Sequence, residues 1–254
     1  MRVYLSRWVC LDVESNIRRL HEEAAEASRL GAGLCVFPEI FLHGYAQGAD
    51  AARVRDDFAS ASAAHPGTAF VFGSFTEQRR NRMTVWQAGR QLAFYDKVHL
   101  FDPNRERQIW DPGDRYVAVR AAGWTWGLIN CNDVRFPEQA RALRLRARCE
   151  ALVVVGWWPW RRDQIWETLM RARAYENGVF VLGCCVAASE YQGERFAGAG
   201  NHVFDPLGKP VQTSDDHIYE LDKAALASVL VDPLETSTPV DLVEILPRDV
   251  APSS

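Results

Sequence analysis

Three residues of complementary chemistry each follow an apolar run: Glu39 after residues 34–37, Lys97 after 91–95 and Cys131 after 126–130, at spacings of 58 and 34 residues. A thiol attacks a carbonyl as a thiolate or with a base to take its proton, and acyl transfer also needs positive charge where the carbonyl oxygen becomes an anion. A carboxylate, an ammonium group and a thiol supply the base, the charge and the nucleophile. Glu106 is a fourth candidate, set in a polar stretch between Arg105 and Arg107. Against this stand plainer readings: a buried apolar thiol for Cys131, an ordinary ion pair for Glu39 and Lys97, and a solvated loop carboxylate for Glu106.

The elements that must hold these residues are legible from hydrophobic spacing. Ile17, Leu20, Ala24, Ala27 and Leu30 predict an amphipathic helix over 15–30, with Ser15 and Asn16 as capping candidates and Gly31 as its stop. Residues 34–37 predict a buried strand closed by Pro38, and 69–72, 83–86 and 91–95 predict further strands, the last two joined by a turn at Gly89-Arg90. After loops at 102–104 and 111–114 come strands at 116–119 and 126–130, then a helix over 137–148, a strand over 151–155, a helix over 163–177 and strands at 179–186 and 200–204. Asp205-Pro206-Leu207-Gly208-Lys209 is a turn, and the chain beyond Asp222 is weakly patterned, with Pro233, Pro239 and Pro247. This alternation is that of a layered α/β protein, in which side chains at strand ends project into ligand-binding crevices.

Composition narrows the partners. Lys and Arg number 29 against 33 Asp and Glu, a net charge of −4 that argues against binding a phosphate backbone. The apolar fraction of 48% is that of a globular chain, and the most apolar stretch, 151–160, is half the ~20 residues of a membrane span. The N-terminal apolar stretch is soon broken by Asp12 and Glu14, unlike a signal peptide. Six cysteines without a spaced framework make the cytoplasm the expected compartment. His21-Glu22-Glu23-Ala24-Ala25 lacks the second histidine of a zinc motif, and Gly31-Ala32-Gly33 lacks the third glycine of a dinucleotide fingerprint, so neither a metal nor a cofactor is expected.

Local sequence favours the chemical reading of the trio. FPEIFLHGY (37–45), YDKVHLF (95–101) and NCNDVRFPE (130–138) resemble the motifs around the glutamate, lysine and cysteine of the nitrilase-like carbon–nitrogen hydrolase superfamily, in the same order and at similar spacing. ERQIWDPG (106–113) resembles the stretch bearing that family's second active-site glutamate, and 157–183 and 205–209 agree as well, so the likeness covers about residues 10–222. The Trp–Pro stretch and the run RAYEN (173–177) suggest the ω-amidase-like branch.

The resemblance implies a four-layer α-β-β-α sandwich over residues 1–254, often assembled as a homodimer or higher homo-oligomer, and the prolines and weak periodicity of 223–254 suggest a tail packing on a partner subunit. It implies that Cys131 attacks a small amide, that Glu39 shuttles the proton, that Lys97 and the Asn132 backbone N–H stabilise the oxyanion, and that Glu106 orients Lys97 and the leaving nitrogen. Asn132 departs from the family, whose amidases often carry an aromatic residue there, which puts the choice of substrate in question. Trp157, Trp158, Trp160 and Trp166 are candidate pocket walls, with Trp157 favoured as substrate-binding. Arg135 is read as support for the turn, His99 and His202 as hydrogen-bonded structural residues, and Arg141, Arg144, Arg146 and Arg148 as a solvated helix face. Hydrolysis of a nitrile or N-carbamoyl compound on the same residues, or a silent binding protein with this fold, are the competing functions.

Overall fold

The structure, a computed structural model, describes residues 1–45, 48–191, 193–197, 200–213, 215–229 and 232–237. The first half runs β1 (Arg2–Leu5), α1 (Val13–Arg29), β2 (Leu34–Phe37), α2 (Ala51–Ala64), β3 (Ala69–Glu77), β4 (Arg80–Gln87), β5 (Arg90–Asp96) and a single turn, α3 (Glu106–Ile109). The second runs β6 (Ala118–Ala121), β7 (Trp124–Asn130), α4 (Pro137–Ala147), β8 (Ala151–Gly156), α5 (Asp163–Asn177), β9 (Phe180–Cys185), β10 (Ala188–Tyr191), β11 (Glu194–Ala197), β12 (His202–Phe204), β13 (Ile218–Glu220) and α6 (Pro233–Thr236).

Side chains alternate across a strand, and here the alternation separates three cores. Val3, Leu5, Leu34, Val36, Ala69 and Val71 share the central core with Leu128, Ala151, Val153, Val155, Phe180 and Leu182. Their neighbours Tyr4, Cys35, Phe37, Phe70 and Phe72 face the other way, onto Leu20, Ala24 and Ala27 of α1 and Val54 and Phe58 of α2. Ile129, Leu152, Val154 and Val181 likewise turn outward onto Ala140 and Leu143 of α4 and Trp166 and Met170 of α5. Both faces of each parallel region are therefore apolar, the condition for a sheet covered by a helix layer on one side and a second sheet on the other. The result is the α-β-β-α sandwich.

One sheet has the order β13-β1-β2-β3-β4-β5 and the other β12-β9-β8-β7-β6. The parallel pairs β1–β2, β2–β3, β7–β8 and β8–β9 are each bridged by a crossover helix, which puts the carboxyl ends of β2 and β7 at the same edge of the sandwich. Those ends carry Glu39 and Cys131.

Several local expectations shift. The N-cap of α1 is Asp12, whose carboxylate accepts from the Ser15 N–H, while Asn16 is buried and its amide donates to the Leu11 and Leu42 carbonyls. The β4–β5 turn is Ala88-Gly89, both left-handed at φ 49° and 75°, the primed hairpin geometry that fits strand twist. Helix α2 was absent from the sequence reading; Asp50 caps it by accepting from Ala52 and Arg53, and Val54, Phe58 and Ala61 are its buried stripe. Arg141 and Arg144 are not simply solvated: they donate to the Glu176 and Asn177 carbonyls that end α5. In the tail, the described residues pack on their own chain, with Val229 against Gly178 and Asp232 paired to Arg144 at 3.1 Å; Pro239 and Pro247 lie outside the described residues. Among the described residues no helix is long and apolar enough to cross a membrane.

Candidate active site

Beyond Phe37 the chain turns abruptly at Pro38-Glu39-Ile40, and Ile40 takes a left-handed φ of 40° with its N–H donated to Ser74 Oγ at 3.0 Å. This turn presses against β3 at Gly73, itself at φ 34°, where an added Cβ would lie 1.8 Å from the Pro38 carbonyl oxygen. Only glycine lets the two backbones approach so closely. Gly73→Ala is therefore expected to cost more than about 3 kcal/mol of unfolding free energy, by denaturant titration, because the backbone that carries Glu39 must move.

Cys131 begins a 3-10 turn, Cys131–Arg135, directly off the end of β7, with a left-handed φ of 51°. Asp133 holds that turn: its carboxylate accepts from the Asn130 N–H at 3.2 Å, the His99 N–H at 2.7 Å and the Tyr95 hydroxyl at 2.6 Å. His99 Nδ1 lies 2.9 Å from Asp133 and its ring stacks on Phe136, the structural role expected of it. The opening N–H groups of a helical turn have no carbonyl one turn back to bond, and in this turn they belong to Cys131 and Asn132. The Asn132 side chain is occupied elsewhere, donating to the His99 and Leu100 carbonyls at 3.0 and 3.4 Å. It thereby ties the cysteine turn to the segment just after Lys97.

Glu39, Lys97 and Glu106 come together with no solvent exposure at any of the three side chains. Lys97 Nζ donates to Glu39 Oε1 at 2.8 Å and to Glu106 Oε1 at 2.9 Å. Glu39 Oε1 also accepts from Asn81 Nδ2 at 2.9 Å, and Oε2 accepts the Trp157 N–H at 2.9 Å. Glu106 Oε1 accepts from the Tyr45 hydroxyl at 2.7 Å and Oε2 from the Phe101 N–H at 2.7 Å. Far from a solvated loop carboxylate, Glu106 is buried on α3 while Arg105 and Arg107 beside it are exposed. Sequence reasoning missed Asn81 and Tyr45; Tyr45 closes the segment FPEIFLHGY (37–45), whereas Asn81 carries no signal.

Burial works against the Lys97 ammonium, but Glu106 and Glu39 outweigh it and hold its pKa well above the ordinary lysine value. Burial raises Glu106 above the usual carboxylate range, with Lys97 pulling the other way. Cys131 is driven well above the ordinary thiol value by burial and then by Glu39, with Lys97 in opposition. Burial thus favours the neutral thiol over the thiolate, with Glu39 beside it.

A pocket opens onto Cys131, lined also by Glu106, Asn132, Tyr45, Trp157 and Trp158. Trp166 lies instead in the core under α5, and Trp160 is 60% exposed. Arg135 and Arg162 also line the pocket, their guanidinium groups over the rings of Trp158 and Phe101 at 4.7 and 5.1 Å. Neither is in an ion pair among the described residues, and Arg162 Nε is buried without a hydrogen-bond partner. Burial and then Arg162 lower the pKa of Arg135, the direction expected where two cations face each other without an anion. Arg135 is accordingly a pocket residue rather than a brace for the turn; the Val134 carbonyl in that turn is held by Arg173 Nε at 2.9 Å. His202 also departs from expectation, its Nε2 buried without a hydrogen-bond partner and 3.7 Å from Asp163.

The model of the carbon–nitrogen hydrolase family matches residues 3–231. The chain belongs to that family. Omega-amidase YafV of Escherichia coli is 31% identical over 216 residues, 82% of each chain. A 2-oxoglutaramate amidase of Paenarthrobacter nicotinovorans is 30% identical over 251 residues, 90% of this chain and 83% of that one. The crystal structure of Saccharomyces cerevisiae Nit3, of the nitrilase superfamily, superposes with a TM-score of 0.79 at 23% identity, covering 90% of this chain and 92% of that one. The hydrolase thus carries its family's fold, and its buried Glu–Lys–Glu cluster beside a pocket thiol lies at the edge where the fold places ligands.

Proposed function

We propose that this carbon–nitrogen hydrolase cleaves a small amide whose acyl portion bears a carboxylate, releasing ammonia through a thioester on Cys131. The observation that carries the substrate class is the pair of guanidinium groups, Arg135 and Arg162, in the pocket of Cys131 without an ion-pair partner among the described residues. A carboxylate at the far end of the substrate would meet both, and planar guanidinium forks suit carboxylates. The two amidase relatives, whose names specify an omega-amidase and an oxoglutaramate amidase, support the same class.

In the reaction Cys131 Sγ attacks the amide carbon while Glu39 takes the thiol proton. Glu39 Oε1 already accepts from two donors and Oε2 from one, so Oε2 has the freer lone pair for that proton. An ammonium has three N–H bonds, and Lys97 commits two of them to Glu39 and Glu106. The third, with the Asn132 backbone N–H, would receive the oxyanion. Glu39 returns its proton to the departing nitrogen, ammonia leaves, and the thioester forms; Glu39 then deprotonates water, which attacks the thioester and frees the acid and the thiol. Glu106 anchors Lys97, and with its second oxygen held by Phe101 it faces the leaving nitrogen from a fixed position.

The test is a steady-state panel of amides matched in length with and without a terminal carboxylate, alongside N-carbamoyl compounds and nitriles. The carboxylate-bearing amide is expected to win in kcat/KM by about tenfold to hundredfold, the worth of a charge-assisted contact, and Arg135→Leu and Arg162→Leu should each reduce that preference. Equal rates on neutral and charged amides, or a faster nitrile, would overturn the substrate class.

A further inference from the structure

Asn81 is the second residue of β4, 1% exposed, and it bonds to Glu39, to Lys97 and to Asn130, the residue before Cys131. Its Nδ2 donates to Glu39 Oε1 at 2.9 Å, its Oδ1 accepts from Asn130 Nδ2 at 3.0 Å, and its carbonyl accepts the Lys97 N–H at 3.0 Å. Asn130 is the last residue of β7, in the opposite sheet, and directly precedes Cys131. The polarity of this chain follows from its end. An ionised carboxylate only accepts, so the amide nitrogen of Asn81 must face Glu39, which leaves its oxygen to receive the N–H of Asn130. A backbone bond to the lysine, a side-chain bond to the base and a side-chain bond to the neighbour of the nucleophile thus converge on one residue, across the gap between the two sheets.

We infer that Asn81 is a positioning residue that sets Glu39 in register with Cys131, and that Asn130 is its support across the sandwich. The inference rests on the reading of Glu39 as the base of a cysteine hydrolase. The other groups facing Glu39 are Lys97 from the end of β5, Glu106 from α3, Tyr45 from the turn after β2, Cys131 from the end of β7 and Cys185 from β9. None of these side chains is replaced by a change at Asn81 or Asn130, so a loss confined to kcat reports the lost bond that aims Glu39.

The experiment measures kcat and KM for the native protein, Asn81→Ala and Asn130→Val, with the best amide of the panel and with circular dichroism to verify the fold. Asn81→Ala is expected to lower kcat by about tenfold to hundredfold with KM little changed, the worth of one bond to a charged group. Asn130→Val should lower kcat the same way by less, because Asn81 stays in place but loses the donor that aims it. Should Asn81→Ala fail to fold, Asn130→Val decides alone. A folded variant with native kcat, or one whose loss falls on KM alone, would overturn the positioning role. Activity surviving in Glu39→Gln would instead strike at the base itself, so the two failures are told apart.

Discussion

Cys131→Ala is expected to lose ammonia release by about 10⁴-fold or more while keeping its fold. The proposed nucleophile has no substitute among the pocket residues: Cys35, Cys149 and Cys184 are buried in the cores, Cys185 meets the Trp158 backbone, and Cys10 lies beside the Asn16 amide outside the pocket. The stability cost should stay near about 1 kcal/mol, since a single sulfur atom is removed and alanine bears the left-handed φ of 51° no worse than cysteine. Cys131→Ser should be nearly as inert, because a buried hydroxyl is harder to deprotonate than a thiol. The measurement is ammonia release, paired with a mass shift of the acyl group on Cys131 in acid-quenched native protein. Turnover surviving in the alanine variant would end the thioester mechanism. The raised thiol pKa adds a sign: below that value the thiol is neutral, so simple alkylating agents should react slowly near neutral pH and faster as pH rises, whereas amides recruit Glu39 in the attack.

The second large effect is at Lys97, whose side chain is wholly buried between two carboxylates. Lys97→Met removes the cation and strands both Glu39 and Glu106 in a site without solvent. Breaking a buried pair from one side costs about 3–5 kcal/mol, and losing an oxyanion donor costs about 10²–10³ in kcat. Denaturant titration and steady-state rates should show both losses together. Adding Glu106→Gln to Lys97→Met removes one of the two stranded charges, so it should recover part of the stability and none of the turnover. Recovery of neither would mean that Lys97 contributes packing rather than charge.

The same burial works against charge in the site. It is the largest cause of the raised Glu106 and Cys131, and Glu39 adds to it in both while Lys97 opposes it. Two carboxylates and one ammonium leave a net negative charge if all ionise, and a thiolate would add another. In the proposed mechanism, proton transfer from Cys131 to Glu39 during attack would avoid a free thiolate beside them.

What the sequence by itself determined is what depends on contiguous residues. The motifs around Glu39, Lys97, Glu106 and Cys131 each lie on one short segment, and hydrophobic spacing along the same segments marks 34–37, 151–155 and 163–177, which the structure bears out as β2, β8 and α5 to within a residue. What only the tertiary structure decided is which distant side chains meet those four. Asn81 reaches Glu39 across 42 residues and Asn130 across 49, and the Trp157 N–H reaches Glu39 across 118. Those meetings follow from the order of strands in two sheets and from their face-to-face packing, which no local pattern encodes. Arg135 shows the same limit. Its neighbour in the pocket is Arg162, from the turn that precedes α5, and only the fold sets the two guanidinium groups in one pocket.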